Sequence, residues 1–336
     1  MTELTPQSQQ PKRRWFPIRG KIGLLASVLL SIASVLLVFC VWWFVTRGEI
    51  AEERIVGPLA LTSPTETFAA FKDLWFEQQL TRNLLTTLRR VILGFSLAAV
   101  IGIPLGILAG SFPPIRSMLA PIILFGRNIP IAALVPLTYF FFGIAETQKI
   151  MFIFLACSAF VIADTTTSIS NVGQQYLDTA YTLGSNRWQA ITKVLVPLAM
   201  PSLFDSLRLL FGLAFGYIML AESIKIGGES GGLGNLINAA QKRGLRAQIY
   251  LIILIIPLVA FLIDRILFAI QKGLFPHKYG GSGWLLMLVR DIAHRIGDLK
   301  SMFFQPTPPY DQLTLEGVPS HEGSQVAPSD DRSGNE

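Results

Sequence analysis

The chain has 336 residues, of which 51% are hydrophobic and only 15% are charged, and its formal net charge is +6. A soluble domain usually carries about a quarter of charged residues, so this composition excludes an ordinary soluble protein. The apolar residues are concentrated in runs of about 18 to 25, the length that crosses a bilayer. Because the basic residues mostly flank these runs, the positive charge does not indicate nucleic-acid binding.

The amino-terminal region predicts a basic tail, one membrane span and a connector. Residues 1–21 end in lysines and arginines, and residues 22–46 are apolar. This run is too long for a signal peptide and no small-residue cleavage site follows it, so we expect a retained first transmembrane helix entering from the cytoplasm. Residues 47–87 are predicted to be an external connector, in which Ser63-Pro64-Thr65 starts a short helix.

Residues 88–272 predict a core of five further spans, the second span of the chain beginning near Leu88. Small residues recur at every fourth position of this span, a pattern that allows another helix to approach closely. They are Gly94, Ala98, Gly102, Gly106 and Gly110. The third span contains Arg127, Pro130 and Pro136, and we expect it to be broken or kinked.

Shorter segments of the core and the carboxyl-terminal region complete the chain. Pro113-Pro114 is predicted to lie in a loop, Glu146 to Lys149 in a turn, and the glycine-rich residues 227–236 in a flexible turn. Residues 273–304 predict an amphipathic cytoplasmic segment on the membrane surface. Residues 305–336, rich in proline, serine, glycine and acids, are predicted to be disordered.

The loop between the fourth and fifth spans, residues 176–201, predicts two short helices joined by a tight turn. Gly184 stands where a helix end takes a residue with positive φ. Asn186 can cap the second helix, with Gln189 three residues on to reach back. Pro197 and Pro201 are predicted to stop that helix.

The spacing in this loop resembles the EAA loop of permease subunits of ATP-binding-cassette importers, which reads E-A-A, three residues, Gly, nine residues, I-x-L-P. The seven matching positions are Asp178, Thr179, Ala180, Gly184, Val194, Val196 and Pro197. Asp178 in place of glutamate and Thr179 in place of the first alanine are departures from the motif. The resemblance implies that these seven residues couple the permease to an ATPase.

Three further segments resemble permeases of the nitrate, sulfonate, taurine and bicarbonate importer family. Residues 83–110 are similar to that family's second span, and residues 127–143 to its third. Ala221-Glu222 with Gly232-Leu233-Gly234 is similar to the end of its fifth span. The resemblance extends from about Pro64 to Phe275.

This resemblance implies an all-α membrane protein in which six transmembrane helices form a type I (MetI-like) importer permease bundle with a cytoplasmic EAA loop. It implies two cytoplasmic ATPase subunits that bind ATP and magnesium and an external solute-binding protein. It also implies a second permease, which is either another copy in a homodimer or a related permease. It also implies a multi-pass protein of the bacterial inner membrane with both termini in the cytoplasm.

The chain itself offers no catalytic, cofactor-binding or metal-binding set. Cys40 and Cys157 lie inside apolar runs, and the three histidines are far apart. No phosphate-binding loop carries a lysine, so the sequence predicts that the chain is not an enzyme and that ATP is hydrolysed by another subunit. The alternative is an ion-coupled secondary transporter, although no internal repeat is visible.

Two charged residues are candidates for the substrate pathway. Arg127 is the only strongly intramembrane charge that the sequence indicates, and a buried arginine is usually functional. It predicts a small anion as substrate, but Arg127 could equally snorkel or pair with another group to hold the kinked span. Glu222, at the outer end of the fifth span, is a candidate for a gate or a structural pair.

Overall fold

The computed structural model describes residues 23–48, 54–224 and 231–279, and all regular structure in these ranges is helical. The helices are α1 (Leu24–Val45), α2 (Pro64–Ala69), α3 (Phe71–Phe76), α4 (Leu80–Ser111), α5 (Pro113–Asn128), α6 (Ile131–Phe142), α7 (Glu146–Ser170), α8 (Gln174–Thr182), α9 (Arg187–Ala190), α10 (Val196–Ser223), α11 (Leu233–Arg243), α12 (Arg246–Leu274) and α13 (Pro276–Tyr279). The basic tail, most of the amphipathic segment and the tail predicted to be disordered lie outside the described residues.

The chain divides into two units, Met1–Gln271 and Lys272–Glu336. In the first unit α4, α7 and α10 form the centre of the bundle, and their apolar side chains make one continuous core. The largest fully buried apolar members of this core are Phe152, Phe215, Leu74, Ile153, Ile218, Leu233 and Ile252. Of the second unit the structure describes Lys272–Tyr279, which contains the end of α12 and α13.

Five of the described helices are long and apolar enough to cross a membrane, and α5 with α6 makes a sixth span if the bent pair is counted as one. The two helices of that pair meet at an angle of 102°. The break falls at Ile129 and Pro130, which have extended backbone conformations. The predicted break in the third span is therefore confirmed, and Pro130 accounts for it because proline disfavours a helical residue before it.

The predicted stripe of small residues is confirmed as the face of α4 on which α7 packs closely. α7 lies so near α4 that an added Cβ at Gly94 would stand 2.6 Å from the carbonyl oxygen of Ile150. An added Cβ at Gly106 would stand 2.4 Å from the Cβ of Thr165. Only glycine fits such positions, and the two helices consequently pack backbone to side chain over most of their length.

α1 differs from the central spans because none of its apolar window is buried within the chain. Its described contacts lie near its carboxyl end, where the Trp42 indole N–H donates to the carbonyl oxygen of Thr62 at 2.9 Å. The Phe39 ring stacks on Phe68 of α2 with 6.1 Å between ring centroids. The first span is thus held to the bundle by the connector that follows it.

The connector contains the predicted short helix, which begins with a capping box. Ser63 accepts a hydrogen bond from the backbone N–H of Glu66, and the Glu66 carboxylate accepts one from the backbone N–H of Ser63. The Arg54 guanidinium also donates to Glu66 at 2.9 Å. These hydrogen bonds hold the pKa of Glu66 below its usual range, and the bond from Arg54 has the largest effect. The helix is interrupted at Ala70, after which α3 begins.

Several helices begin at residues that the sequence predicted to lie in a connector, a loop or a turn. α4 already begins at Leu80, before the predicted start of the second span near Leu88, and Glu146 to Lys149 is the first turn of α7 and not a free turn. Pro113 opens α5 instead of lying in a loop, a position where its missing N–H costs nothing. α11 starts at Leu233, inside the segment predicted to be a flexible turn.

Candidate functional site

The predicted elbow between the fourth and fifth spans is present as α8, a tight turn and α9. Gly184 follows α8 with φ of 81°, in the left-handed region that favours glycine. The N–H of Ser185 donates to the carbonyl oxygen of Ala180 at 3.0 Å, which closes the end of α8. The predicted conformation of Gly184 is confirmed.

The second arm of the elbow begins as predicted but ends differently. Asn186 and Gln189 form a reciprocal capping box. α9 then continues through one turn of π-helix, Ile191–Leu195, directly into α10, so the prediction that Pro197 and Pro201 stop the helix is wrong. The wide turn places Pro197 in the first turn of α10, where proline is tolerated, and Pro201 lies within the bundle.

A small apolar cluster fixes the elbow to the ends of the central helices. Its buried members come from α7, from the π-helical turn and from α10, and they are Ile169, Ile191, Leu195 and Ala199. Half-buried side chains pack around them, including Ile107 and Phe112 from the end of α4 and Leu177 from α8. The elbow therefore cannot shift without moving the ends of α4, α7 and α10.

The tip of the elbow, by contrast, exposes large apolar side chains. Leu183 is 81% exposed and Trp188 is 62% exposed, although the Trp188 ring meets the edge of Phe112 at 6.1 Å. An added Cβ at Gly184 would find no atom within 4 Å. Exposed apolar groups on an anchored turn are typical of a surface that binds another protein.

The seven residues that match the EAA motif do not all lie on this surface. Four are exposed, namely Asp178, Thr179, Gly184 and Pro197, and Val194 and Val196 are half-buried. Ala180, by contrast, is buried within the chain. The reason is that α8 folds back on the second arm, which turns the face of Leu177 and Ala180 inward.

The opposite end of the bundle holds an ion cluster around the buried Arg90, which the sequence did not reveal. Arg90 of α4 is 1% exposed and lies between two carboxylates. Its Nη1 donates to Glu222 of α10 at 2.7 Å, and its Nε donates to Glu146 of α7 at 2.7 Å. Lys149 adds a second positive charge 3.9 Å from Glu146. Each charge has a counter-charge, which buried ions require.

The same cluster caps the start of α11. The backbone N–H of Gly234 donates to the Glu222 carboxylate at 3.0 Å. The N–H of Leu233 donates to the Thr87 hydroxyl at 2.9 Å, and that hydroxyl donates to Glu222. The N–H of Gly232 donates to the Asn83 side chain at 2.7 Å. Three successive backbone donors at a helix start are therefore satisfied by side chains of α4 and α10.

Arg127 and Glu222, the two predicted pathway residues, are not brought together. Glu222 is fully buried in the ion cluster, whereas Arg127 is exposed at the end of α5. The Arg127 guanidinium lies over the ring of Phe160 of α7, 5.2 Å from its centroid. A metal site is not evident in the residues that the structure describes.

The expectation that Arg127 is the only strongly intramembrane charge is wrong. Arg90, Lys149, Asp164, Arg208 and Asp264 also lie within helices long enough to span a membrane, and Arg208 pairs with Asp264 at 2.7 Å. They were missed because each lies in a run whose average is apolar. For Arg90 a signal existed, since it stands four residues before Gly94 and so continues the buried stripe of α4.

Comparison with known proteins decides which family this bundle represents. The family described as "Binding-protein-dependent transport system inner membrane component" matches residues 102–277, just over half of the chain. The chain belongs to this family. It is therefore a multi-pass membrane permease of the ABC importer class, as predicted. The family that it matches is not one of ion-coupled secondary transporters, which was the alternative.

The similar proteins include three permeases that are named for the substrate of their transport system. The chain is 31% identical to the taurine transport system permease protein TauC of Escherichia coli, over 80% of this chain and 94% of that protein. It is 29% identical to the bicarbonate transport system permease protein CmpB of Synechococcus elongatus, over 74% and 90%. It is 28% identical to SsuC of Bacillus subtilis, named for aliphatic sulfonates transport, over 83% and 96%.

Among solved structures, a chain of the inward-facing MetNI methionine ABC transporter aligns with a TM-score of 0.53. The alignment covers 60% of this chain and 97% of that chain at 19% sequence identity. At this identity the likeness concerns the fold alone. The predicted all-α, MetI-like permease fold is confirmed.

Proposed function

We propose that the chain is the membrane subunit of an ATP-driven importer, and that it forms the pathway for a small anion of the nitrate, bicarbonate, taurine or alkanesulfonate class. Two ATPase subunits in the cytoplasm bind ATP and magnesium and supply the energy. A second copy of the permease completes the pathway, and an external binding protein delivers the substrate. Both termini and the elbow then face the cytoplasm of the bacterial inner membrane.

The anchored elbow with its apolar tip is the observation that supports this proposal. Leu183 and Trp188 are exposed on a turn whose base is buried among α4, α7 and α10. A partner that binds the tip can therefore move three central helices at once. In this proposal the tip docks into a cleft on the ATPase, with Asp178 near the start of α8, where an acid can pair with a basic group of the partner.

The two candidate pathway residues have different places in the proposal. Arg127 is exposed on the surface of the single chain, which is compatible with contact to an anion. Glu222 is shielded and paired with Arg90, which supports a structural role and not contact with the substrate.

The substitution Gly184→Val tests the coupling role. A β-branched residue is strained at this positive φ, by about 1 kcal/mol or more, and it also adds bulk where the surface is open. We expect normal abundance in the membrane, because the apolar spans are unchanged, but loss of ATPase association in pull-downs and loss of uptake.

The substitution Gly184→Asn is the matched control, since asparagine tolerates the left-handed conformation. If Gly184 only caps α8, Gly184→Asn behaves as wild type and Gly184→Val lowers abundance. If it contributes to docking, Gly184→Asn weakens ATPase association at normal abundance. Full transport and full ATPase binding by Gly184→Val would show that the coupling assignment is wrong.

A further inference from the structure

A stripe of polar side chains follows one face of α7 from its middle to its carboxyl end. Asp164, Thr167 and Asn171 are spaced by three and four residues, so they share that face. Thr167 and Asn171 are exposed and Asp164 is half-buried. Polar groups that face lipid are costly and those within a span usually face water or protein. We call these three residues the α7 polar stripe.

Arg127 stands at the start of this stripe. α5 approaches α7 closely there, because an added Cβ at Gly126 would lie 2.8 Å from the Cβ of Ala159. The Arg127 guanidinium rests 5.2 Å from the centroid of the Phe160 ring. Asp164 follows Phe160 by one helical turn on the same face of α7, so its carboxylate lies next along the helix from the ring that Arg127 covers.

These two opposite charges are neighbours without being bonded to each other. In the described part of the chain neither side chain takes part in a salt bridge, although Arg90 and Arg208 each do. The guanidinium therefore keeps its donors and the carboxylate its acceptors, which a ligand with complementary groups can use.

We propose that Arg127 and Asp164 form a binding site for a zwitterion within the translocation pathway, which we call the zwitterion site. Arg127 binds a sulfonate or carboxylate group through its planar donors, and the Phe160 ring holds the guanidinium in place. Asp164 binds an ammonium group of the same molecule. The α7 polar stripe then offers hydrogen bonds along the remaining path.

This inference rests on the proposed importer function and narrows its substrate class. The Asp164 carboxylate, one helical turn from the Phe160 ring that Arg127 covers, repels a simple anion such as nitrate or bicarbonate, and this repulsion offsets the attraction of the guanidinium. A short molecule with one ammonium and one sulfonate group satisfies both charges. The zwitterion site therefore selects aminoalkanesulfonates over anions that carry no positively charged group.

Uptake of taurine and of ethanesulfonate by Asp164→Asn and Arg127→Gln tests this inference in cells that express the full transporter. The same binding protein serves every variant, so its preference cancels in the ratio of variant to wild-type uptake. Asp164→Asn should lower taurine uptake about tenfold or more, the effect of losing one hydrogen-bonded charge, and should leave ethanesulfonate uptake unchanged or raised. Arg127→Gln should lower both.

Three controls separate a specificity role from a structural one. Asp164→Glu keeps the charge and should retain taurine uptake. Glu77→Gln removes an exposed acid of the connector and should change nothing. Membrane abundance and ATPase association of Asp164→Asn should equal those of wild type, which a residue needed only for packing would not allow.

The inference is overturned if Asp164→Asn transports taurine normally, or if it lowers taurine and ethanesulfonate uptake equally. It is also overturned if the wild type imports nitrate or bicarbonate but neither sulfonate, a result that leaves the importer function intact. If the wild type imports none of taurine, ethanesulfonate, nitrate and bicarbonate, both the proposed substrate class and the zwitterion site are overturned. The Gly184→Val experiment measures the importer function independently.

Discussion

The two ends of the bundle differ in whether their side chains are satisfied within the chain. At one end, Arg90 donates to both Glu146 and Glu222, and Glu222 also accepts from the start of α11. At the other end, Leu183 and Trp188 of the elbow present apolar surface to the surroundings. The ion cluster is satisfied within the chain itself, whereas the elbow exposes apolar surface that, in the proposed function, an ATPase subunit covers.

The largest effect on stability is expected from Arg90→Met, which breaks the ion cluster. It leaves Glu222 fully buried without its counter-charge, a change that usually costs about 3–5 kcal/mol. We expect a much lower Tm for the purified protein in detergent and reduced abundance in the membrane.

Arg89→Met is the matched control for Arg90→Met, since Arg89 is the adjacent arginine but is exposed. It should leave the Tm near that of wild type. The double variant Arg90→Met/Glu222→Gln should recover part of the loss because the unpaired charge is removed. Equal Tm values for Arg89→Met and Arg90→Met would refute a stabilising role of the cluster.

An intermediate effect is expected from Gly106→Ala, which acts on the α4–α7 contact that joins the two ends. The new Cβ would stand 2.4 Å from the Cβ of Thr165, and such overpacking costs about 1–3 kcal/mol. Gly212→Ala is the control, because an added Cβ there finds no atom within 4 Å and alanine favours the helix by about 0.5–1 kcal/mol. The Tm should therefore fall for Gly106→Ala and rise for Gly212→Ala. Shifts of the two Tm values in the same direction would contradict the packing argument.

The smallest effect on stability is expected from Leu183→Ser at the elbow. The side chain is exposed, so the free energy of unfolding should change by no more than about 0.5 kcal/mol. ATPase association should nevertheless fall, because the tip loses apolar surface. Leu59→Ser in the connector removes an equally exposed leucine and should leave the association unchanged. Normal ATPase binding by Leu183→Ser would remove the elbow tip from the docking surface.

The sequence predicted the elbow better than the ion cluster for a physical reason. Gly184, Asn186 and Gln189 act on their immediate neighbours, so their spacing alone predicts the turn and the capping box. Arg90 and Glu222 are 132 residues apart in the chain, and their pairing depends on how α4, α7 and α10 pack. No local pattern encodes that distance.

The glycine stripe was predictable, whereas the start of α11 was not. Gly94 and Gly106 belong to one helix with regular spacing, and this regularity identifies a packed face before the partner helix is known. Gly232 and Gly234 read as turn residues, because their helical role depends on Glu222 and Thr87, which supply the cap from elsewhere in the chain.

The glycine stripe of α4 also determines how force passes through the molecule. Because Thr165 and Ile169 of α7 sit over Gly106 and Gly110, sliding α7 by one residue would drive bulky side chains against the backbone of α4. The two helices can tilt together, but they cannot move past each other. We therefore expect the two helices to move as one rigid body, so that a displacement of the elbow at one end also displaces the Arg90 cluster at the other.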